Sequence, residues 1–251
     1  MNLEYGDNDT KKTEEHIVAY LDVLGTTDRM RQPKEFQELS LDRLHYLYKY
    51  TVDKKNYEAS KSSIFEGIEI KIFSDNIIIT KKLSPKSDKY NRTDEITVVL
   101  RAVSHFQTRA TCLKDFEKWG WLIRGAITIG ELFIDDTMVW GEALVRAYEL
   151  ENSIAIYPRV VIDTRIKDEL LVPQFKDFLL KDSDELYFLN YIDIYFSSLP
   201  TRKPTKNDLN EIQAEAQKLA NSCGDKMYKD KIYQKLSWHV NYLKRILDKD
   251  D

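Results

Sequence analysis

The stretch His16-Ile17-Val18-Ala19-Tyr20-Leu21-Asp22-Val23-Leu24-Gly25 is apolar and rich in β-branched side chains, yet it carries one aspartate just before its closing glycine. A run this short, bounded by Gly25, reads as a buried strand over 16–24. A second stretch, Ile70-Lys71-Ile72-Phe73-Ser74-Asp75-Asn76-Ile77-Ile78-Ile79, places another aspartate between two apolar runs. Asp and Asn beside Ser suit a tight turn, so strands over 64–73 and 76–80 are expected to form a hairpin with Asp75 near its tip. An unpaired buried carboxylate is strongly disfavoured. Two of them on runs this apolar call for a shared compensating charge, and a divalent metal between adjacent strands is the simplest. The plainer alternatives are an exposed strand-end carboxylate for Asp22 and an ordinary turn aspartate for Asp75.

Around these runs, 34–52 shows helical spacing through Phe36, Leu39, Leu41, Leu44, Leu47, Tyr48 and Val52. Lys81 to Thr93 reads as a surface loop and Asp94 to Trp119 as a long helix. Trp121 to Ile129 is a strand ending at Gly130, and 131–134 and 137–140 form a second hairpin about Asp135-Asp136. Gly141 opens a helix to Asn152, Pro158–Asp163 is a short strand, and 176–196 adds strands. A linker, Pro200 to Asn207, leads into helices over 208–222 and 226–248. The order is not the strict alternation of a doubly wound protein. It predicts an α+β fold with a ferredoxin-like core, helices covering one face of a mainly antiparallel sheet. The domains expected are a flexible 1–14, one catalytic domain over 15–200, and a helical extension over 201–251 packed on it.

The 251 residues suffice for one domain with a substantial core. A formal net charge of −4 disfavours a general nucleic-acid binder but leaves room for a nucleotide. Two cysteines, Cys112 and Cys223, make no disulfide framework. No apolar leader and no run of about 18 apolar residues is visible, so a cytoplasmic protein with no direct membrane contact is expected. The four histidines are scattered, with no zinc spacing.

Several other residues could touch a ligand. Arg124, inside an apolar strand, needs a carboxylate or a phosphate as partner. Gly125 and Gly130 allow close backbone approach. Lys71 shares a strand face with Phe73 and Asp75 and could reach a nucleobase or a phosphate, or be an edge lysine. Tyr46 and Tyr50 lie one helical turn apart, suited to a dimer interface, base stacking or plain exposure. Arg146 could point to solvent or into a site.

Four motifs in order, Tyr20-Leu21-Asp22-Val23-Leu24-Gly25, Phe73-Ser74-Asp75-Asn76-Ile77-Ile78-Ile79, Arg124-Gly125-Ala126-Ile127-Thr128-Ile129-Gly130 and Gly141-Glu142-Ala143-Leu144-Val145-Arg146-Ala147-Tyr148-Glu149-Leu150-Glu151, resemble the class III nucleotidyl cyclases. More narrowly, they are similar to the pyrimidine cyclases of the Pycsar antiphage system. Ala155 to Ile162 and the helical tail ending in Leu236-Ser237-Trp238-His239 fit that branch, and the resemblance spans about residues 16–165. It implies that Asp22 and Asp75 bind two Mg²⁺ or Mn²⁺ ions and act in catalysis, and it leaves Arg124 and Arg146 as the candidates for stabilising charge. Val23, Leu24, Gly25, Lys71, Tyr50 and Arg146 would then contact the nucleotide. It further implies a head-to-tail homodimer with shared active sites. A ribose 3′-hydroxyl would attack the α-phosphorus of a nucleoside triphosphate, UTP in preference, giving cyclic UMP and pyrophosphate. The messenger would activate a separate effector protein. A cytidylate cyclase and a catalytically inactive nucleotide sensor are the alternatives. Ordinary purine cyclases carry an asparagine and an arginine where this chain has Val145 and Glu149, so the usual adenylate cyclase chemistry is not expected. A diguanylate cyclase would show a Gly-Gly-Asp/Glu-Glu-Phe hairpin in place of Phe73-Ser74-Asp75-Asn76, and a polymerase palm would need a basic groove.

Overall fold

Alternation along the first strand decides how the sheet is dressed. Ile17, Ala19, Leu21 and Val23 enter the main core, while Val18 and Tyr20 belong to a smaller cluster across the sheet, and Asp22 shares their side. A computed structural model describes residues 10–59, 66–111, 121–198, 207, 214 and 226–248. In chain order its elements are β1 (Glu14–Val23), α1 (Thr26–Met30), α2 (Lys34–Ala59), β2 (Ile68–Phe73), β3 (Asn76–Lys82) and α3 (Lys89–Thr111). There follow β4 (Ile123–Ile134), β5 (Val139–Trp140), α4 (Glu142–Ser153), β6 (Val160–Ile162) and α5 (Lys167–Leu170). The chain continues with β7 (Leu179–Lys181), β8 (Tyr187–Leu189), α6 (Tyr191–Ser198) and α7 (Lys226–Leu247).

Among the described residues these strands form one sheet in the order β2-β3-β1-β4-β6-β8-β7, with β5 paired to the far end of β4. The pairs β2–β3, β3–β1 and β1–β4 are antiparallel and β4–β6 is parallel. The first four strands, with a helix after β1 and another after β3, give the βαββαβ order of a ferredoxin-like unit. The fold is therefore α+β with a mainly antiparallel sheet, as the motif order predicts.

One face carries the large core. Leu44 and Leu47 of α2, Val99, Leu100, Val103 and Phe106 of α3, and Tyr242, Leu243 and Ile246 of α7 all pack there. The other face is covered mainly by α4, whose Ala143 and Ala147 lie against Val18 and Leu132. Alanines let that helix sit close to the sheet. Gly125 is needed for strand approach, since a Cβ there would collide with the Tyr20 carbonyl and lie 2.7 Å from a Leu21 methyl. Gly130 is under no such demand, as its Cβ would meet Ala143 at 3.4 Å.

Several boundaries differ from expectation. β1 begins at Glu14, because Glu14 and Glu15 already pair with Leu132 and Glu131. α3 starts at Lys89 inside the expected loop, with Asp88 bonding Asn91 at its first turn. β4 runs unbroken through Gly130 to Ile134, so the expected strand and the first arm of the next hairpin are one strand. The region 176–196 supplies two short strands and then the helix α6. In α2, Phe36, Leu39 and Leu41 stay exposed, and burial begins at Leu44. The expected helix over 208–222 lies almost wholly outside the described residues, as do Cys112 and Cys223. Among the described residues no helix is long and apolar enough to cross a membrane.

Candidate active site

The ladder itself builds the site. Asp22 is the β1 residue opposite Asn76 of β3 on one side and Arg124 of β4 on the other. Asp75 precedes Asn76 in the β2–β3 turn, where Ser74 takes a positive φ of 56°. The Asp75 carbonyl accepts the Val23 amide at 3.0 Å, which ties the turn to the end of β1. The two aspartates are thus brought together at one end of the sheet. Thr26, buried at the start of α1, donates its hydroxyl to Asp75 Oδ2, and Asn76 Nδ2 donates to Oδ1 at 3.3 Å.

Arg124 Nε lies 2.8 Å from Asp22 Oδ2 and 2.7 Å from Glu151 Oε1. Nε carries one hydrogen, and its good hydrogen bond goes to Asp22. Glu151 Oε1 is left buried in ionic contact, with no hydrogen-bond partner. Burial pushes the Glu151 carboxyl up to about 7, against the pull of Arg124, and the charges of Asp22 and Asp75 push the same way. Tyr20, edge-on to Tyr148 of α4, is pushed up to about 12 by burial, with Glu151, Asp22, Tyr148 and Asp75 adding. Tyr48 of α2 bonds the Ser74 carbonyl at 3.2 Å and is also raised, by burial first and then by Asp75 and Asp22. Asp22 and Glu151 therefore share the Arg124 guanidinium, with the Asp75 charge also acting on Glu151.

The other sequence candidates fall in different places. Lys71 shares the Asp22 side of the sheet and lies 3.7 Å from Asp136, in the loop between β4 and β5. Arg146 makes two bonds of 3.0 Å to the fully buried Asp163, so it points neither to solvent nor to the aspartate pair. Tyr50 stacks on Tyr46 and on His105, with Arg109 over its ring at 4.4 Å. It belongs to the α2–α3 helical layer and not to the Asp22 side, because α2 packs against α3 as well as the sheet. Val23 is buried, and the Val23 and Leu24 amides are used within the protein, by Asp75 and by Leu122 at 2.8 Å. Gly25 takes a φ of 84° as it leads into α1. Val145 and Glu149 lie exposed on α4.

Sequence reading missed Thr26, Glu151 and Lys235. Glu151 had a signal, since Ala143, Ala147 and Glu151 recur every four residues and form a buried stripe. Lys235 of α7 is electrostatically coupled to Arg124, Asp22 and Asp28.

Among the described residues no group of three or more His, Cys, Asp or Glu is arranged to hold a metal. Asp22 and Asp75 nevertheless fit a hard divalent ion. Both are oxygen donors with spare lone pairs beside the orphaned Glu151 oxygen, and Mg²⁺ or Mn²⁺ commonly takes one or two carboxylates plus phosphate oxygens and water.

No protein-family model matches this sequence, and no curated protein matches it. Among solved structures, the chain is similar to the adenylyl cyclase CyaB from P. aeruginosa, at 15% identity and a TM-score of 0.44, covering 77% of this chain and 98% of that one. It is similar to the guanylyl cyclase Cya2 at 12% identity and a TM-score of 0.43, over 71% and 92% of the two chains. A bacterial light-regulated adenylyl cyclase is similar at 14% identity and a TM-score of 0.46, over 84% of this chain and 58% of that one. At such identities and scores these likenesses carry no functional weight, and the functional reading stands on the side chains of the site and the motif order.

Proposed function

We propose that this chain is a metal-dependent nucleotidyl cyclase of the class III type that converts UTP to 3′,5′-cyclic UMP and pyrophosphate. The observation that carries the reading is the meeting of Asp22 and Asp75 at one sheet end, beside a buried glutamate oxygen that has no hydrogen-bond partner. Mg²⁺ or Mn²⁺ held by Asp22 and Asp75, two ions per site, would supply polarisation of the α-phosphate and neutralise charge on the leaving group. The chain's own residues hold the geometry. Thr26 and Asn76 fix the two oxygens of Asp75, and Arg124 fixes Asp22. Of the two arginines with a candidate role toward the phosphate, Arg124 lies at the aspartates, while Arg146 supports α4 through Asp163. In the reaction, ribose O3′ bonds to the α-phosphorus as the bond to the bridging oxygen breaks. The hydroxyl proton is lost and pyrophosphate leaves with the electron pair.

A homodimer with shared sites completes the proposal. Phe73 (81% exposed) is on the Asp22 side of the sheet, and Val145 (55%) and Tyr148 (48%) are on α4, which covers that side. Apolar groups exposed around a charged site suit a second copy of the chain. The preference for uracil, a role in Pycsar defence and a separate effector follow from the motif resemblance.

The experiment is incubation with all four ribonucleoside triphosphates and Mn²⁺, with mass spectrometry of the products. Cyclic UMP and pyrophosphate are expected from the wild type and not from Asp22→Ala or Asp75→Ala. Cyclic CMP would move the specificity to cytosine. Tight nucleotide binding without pyrophosphate release would favour the sensor reading, consistent with Val145 and Glu149. Absence of both product and binding would overturn the proposal.

A further inference from the structure

The C-terminal helix reaches the site with a charge. Along α7, Lys235, His239, Tyr242 and Ile246 follow the i, i+4, i+7, i+11 spacing of one helix face. The last three are buried, His239 at 1%, Tyr242 at 4% and Ile246 at 1% exposure. The stripe that fastens α7 to the core thus ends in a lysine, partly buried, where the pattern calls for an apolar side chain. Lys231 extends the same line one turn further into solvent.

Packing fixes where this end of the helix lies. Trp238, three residues after Lys235, stacks on Tyr157 with ring centroids 6.1 Å apart. Arg159, close to both rings, accepts the Gly125 amide on its carbonyl at 3.1 Å. Gly125 follows Arg124, and Arg124 holds Asp22. This packing sets the start of α7 near the end of β4 that carries Arg124, and Lys235 interacts electrostatically with Arg124, Asp22 and Glu151. Burial and the nearby Arg124 weaken its hold on the proton, while Asp22 and Asp28 favour the ammonium form.

The other cations around the site are engaged. Arg124 is held by Asp22 and Glu151, Arg146 by Asp163, Lys71 by Asp136, and Arg29 lies over the Trp121 ring at 3.7 Å. Lys235 has no carboxylate within salt-bridge distance among the described residues. A partly desolvated ammonium that feels Asp22 and Asp28 only at a distance, with no carboxylate in contact, has its hydrogen-bonding positions open to an anion from outside.

We propose that Lys235, with Lys231 behind it, binds the terminal phosphates of the substrate triphosphate, so that the C-terminal helix is part of the active site. This rests on the cyclase reading for the identity of the ligand, but the chemistry it needs is only a polyphosphate beside Asp22. The helix then has two tasks on one face, packing through His239, Tyr242 and Ile246 and ligand capture through Lys235.

The test is calorimetric binding of inorganic tripolyphosphate in the presence of Mn²⁺ to the full chain, alongside cyclase assays and thermal melting. Lys235→Ala is expected to weaken tripolyphosphate binding about tenfold or more, as for loss of one charge-assisted contact, with the melting temperature unchanged. Lys235→Arg is expected to recover most of the affinity, and Lys231→Ala to cost less. If the wild type makes no cyclic nucleotide yet binds tripolyphosphate through Lys235, the inference stands and the cyclase reading falls. If the wild type is an active cyclase and Lys235→Ala leaves both tripolyphosphate affinity and KM unchanged, the inference falls alone. A wild type that binds no tripolyphosphate also overturns it.

Discussion

Two acidic clusters, each with one buried carboxylate, lie on the α4 side of the sheet, and they are built on opposite principles. At the first, Asp163 is wholly buried and accepts bonds from Arg146, Arg165, the Thr128 hydroxyl and the Arg165 amide. Burial alone would raise its carboxyl, but those four interactions outweigh it and hold Asp163 well below the usual range. At the second, beside Asp75, Asp22 and Glu151 share one arginine, one glutamate oxygen has no hydrogen bond, and Glu151 is pushed up. A satisfied network stabilises a fold and has nothing left to offer a ligand. An unsatisfied one is tolerated where a ligand completes it. The first cluster holds α4 on the sheet, and the second is the place to look for chemistry.

The sharpest way to break this contrast is to make one substitution at both places. Asp22→Asn is expected to lower turnover about a hundred- to a thousandfold while moving folding stability by no more than about 1 kcal/mol, because Arg124 keeps Glu151 as a partner. Asp163→Asn is expected to do the reverse. It leaves two guanidinium groups facing a neutral amide, at about 3 kcal/mol of stability, with turnover falling only as far as α4 loosens. Denaturant unfolding and initial rates on both variants decide it. Equal destabilisation would erase the distinction between the clusters.

The second prediction concerns Glu151. Its folded carboxyl holds a proton up to about 7, whereas an unfolded glutamate releases it near 4.5. Raising the pH through that window takes the proton first from the unfolded chain and so favours unfolding. Stability measured on metal-stripped protein should fall between these values in the wild type, and the difference from Glu151→Gln isolates the contribution. At pH 8 the variant is expected to be more stable by about 1–3 kcal/mol. A variant less stable than the wild type at every pH would show that the Arg124–Glu151 contact outweighs the burial of the carboxylate.

The legible part of this site is the part written in strands. The period of two and the turn residues of the hairpin fix both register and face, so Asp22, Asp75 and Arg124 meet as their local patterns require. Helical residues were harder to place, because a helix offers several faces and the sequence does not say which neighbour takes each. Tyr50 faces α3, and the early leucines of α2 face solvent, because α2 divides its contacts between the sheet and α3. Glu151 and Lys235 share one signature, a charged residue continuing a buried stripe at helical spacing. Lys235, 111 positions after Arg124, is brought to the site by α7 packing that local sequence does not encode. Thr26 follows the closing glycine of β1, where nothing local distinguishes it from an ordinary turn residue, and its hydroxyl holds Asp75.

The smallest expected effect sharpens the contrast from its edge. Arg165 also reaches Glu142 at 3.1 Å, but the two side chains are 48% and 72% exposed. Solvent screens such a pair, and holding two long side chains in place costs entropy. Glu142→Gln should therefore change stability by less than about 0.5 kcal/mol, although it touches the same arginine that serves Asp163. A denaturant midpoint shift comparable to that of Asp163→Asn would mean that the rim, and not the buried carboxylate, anchors α4. A negligible shift would place the stabilising charge inside, where Asp163 has all of its bonds and Glu151 does not.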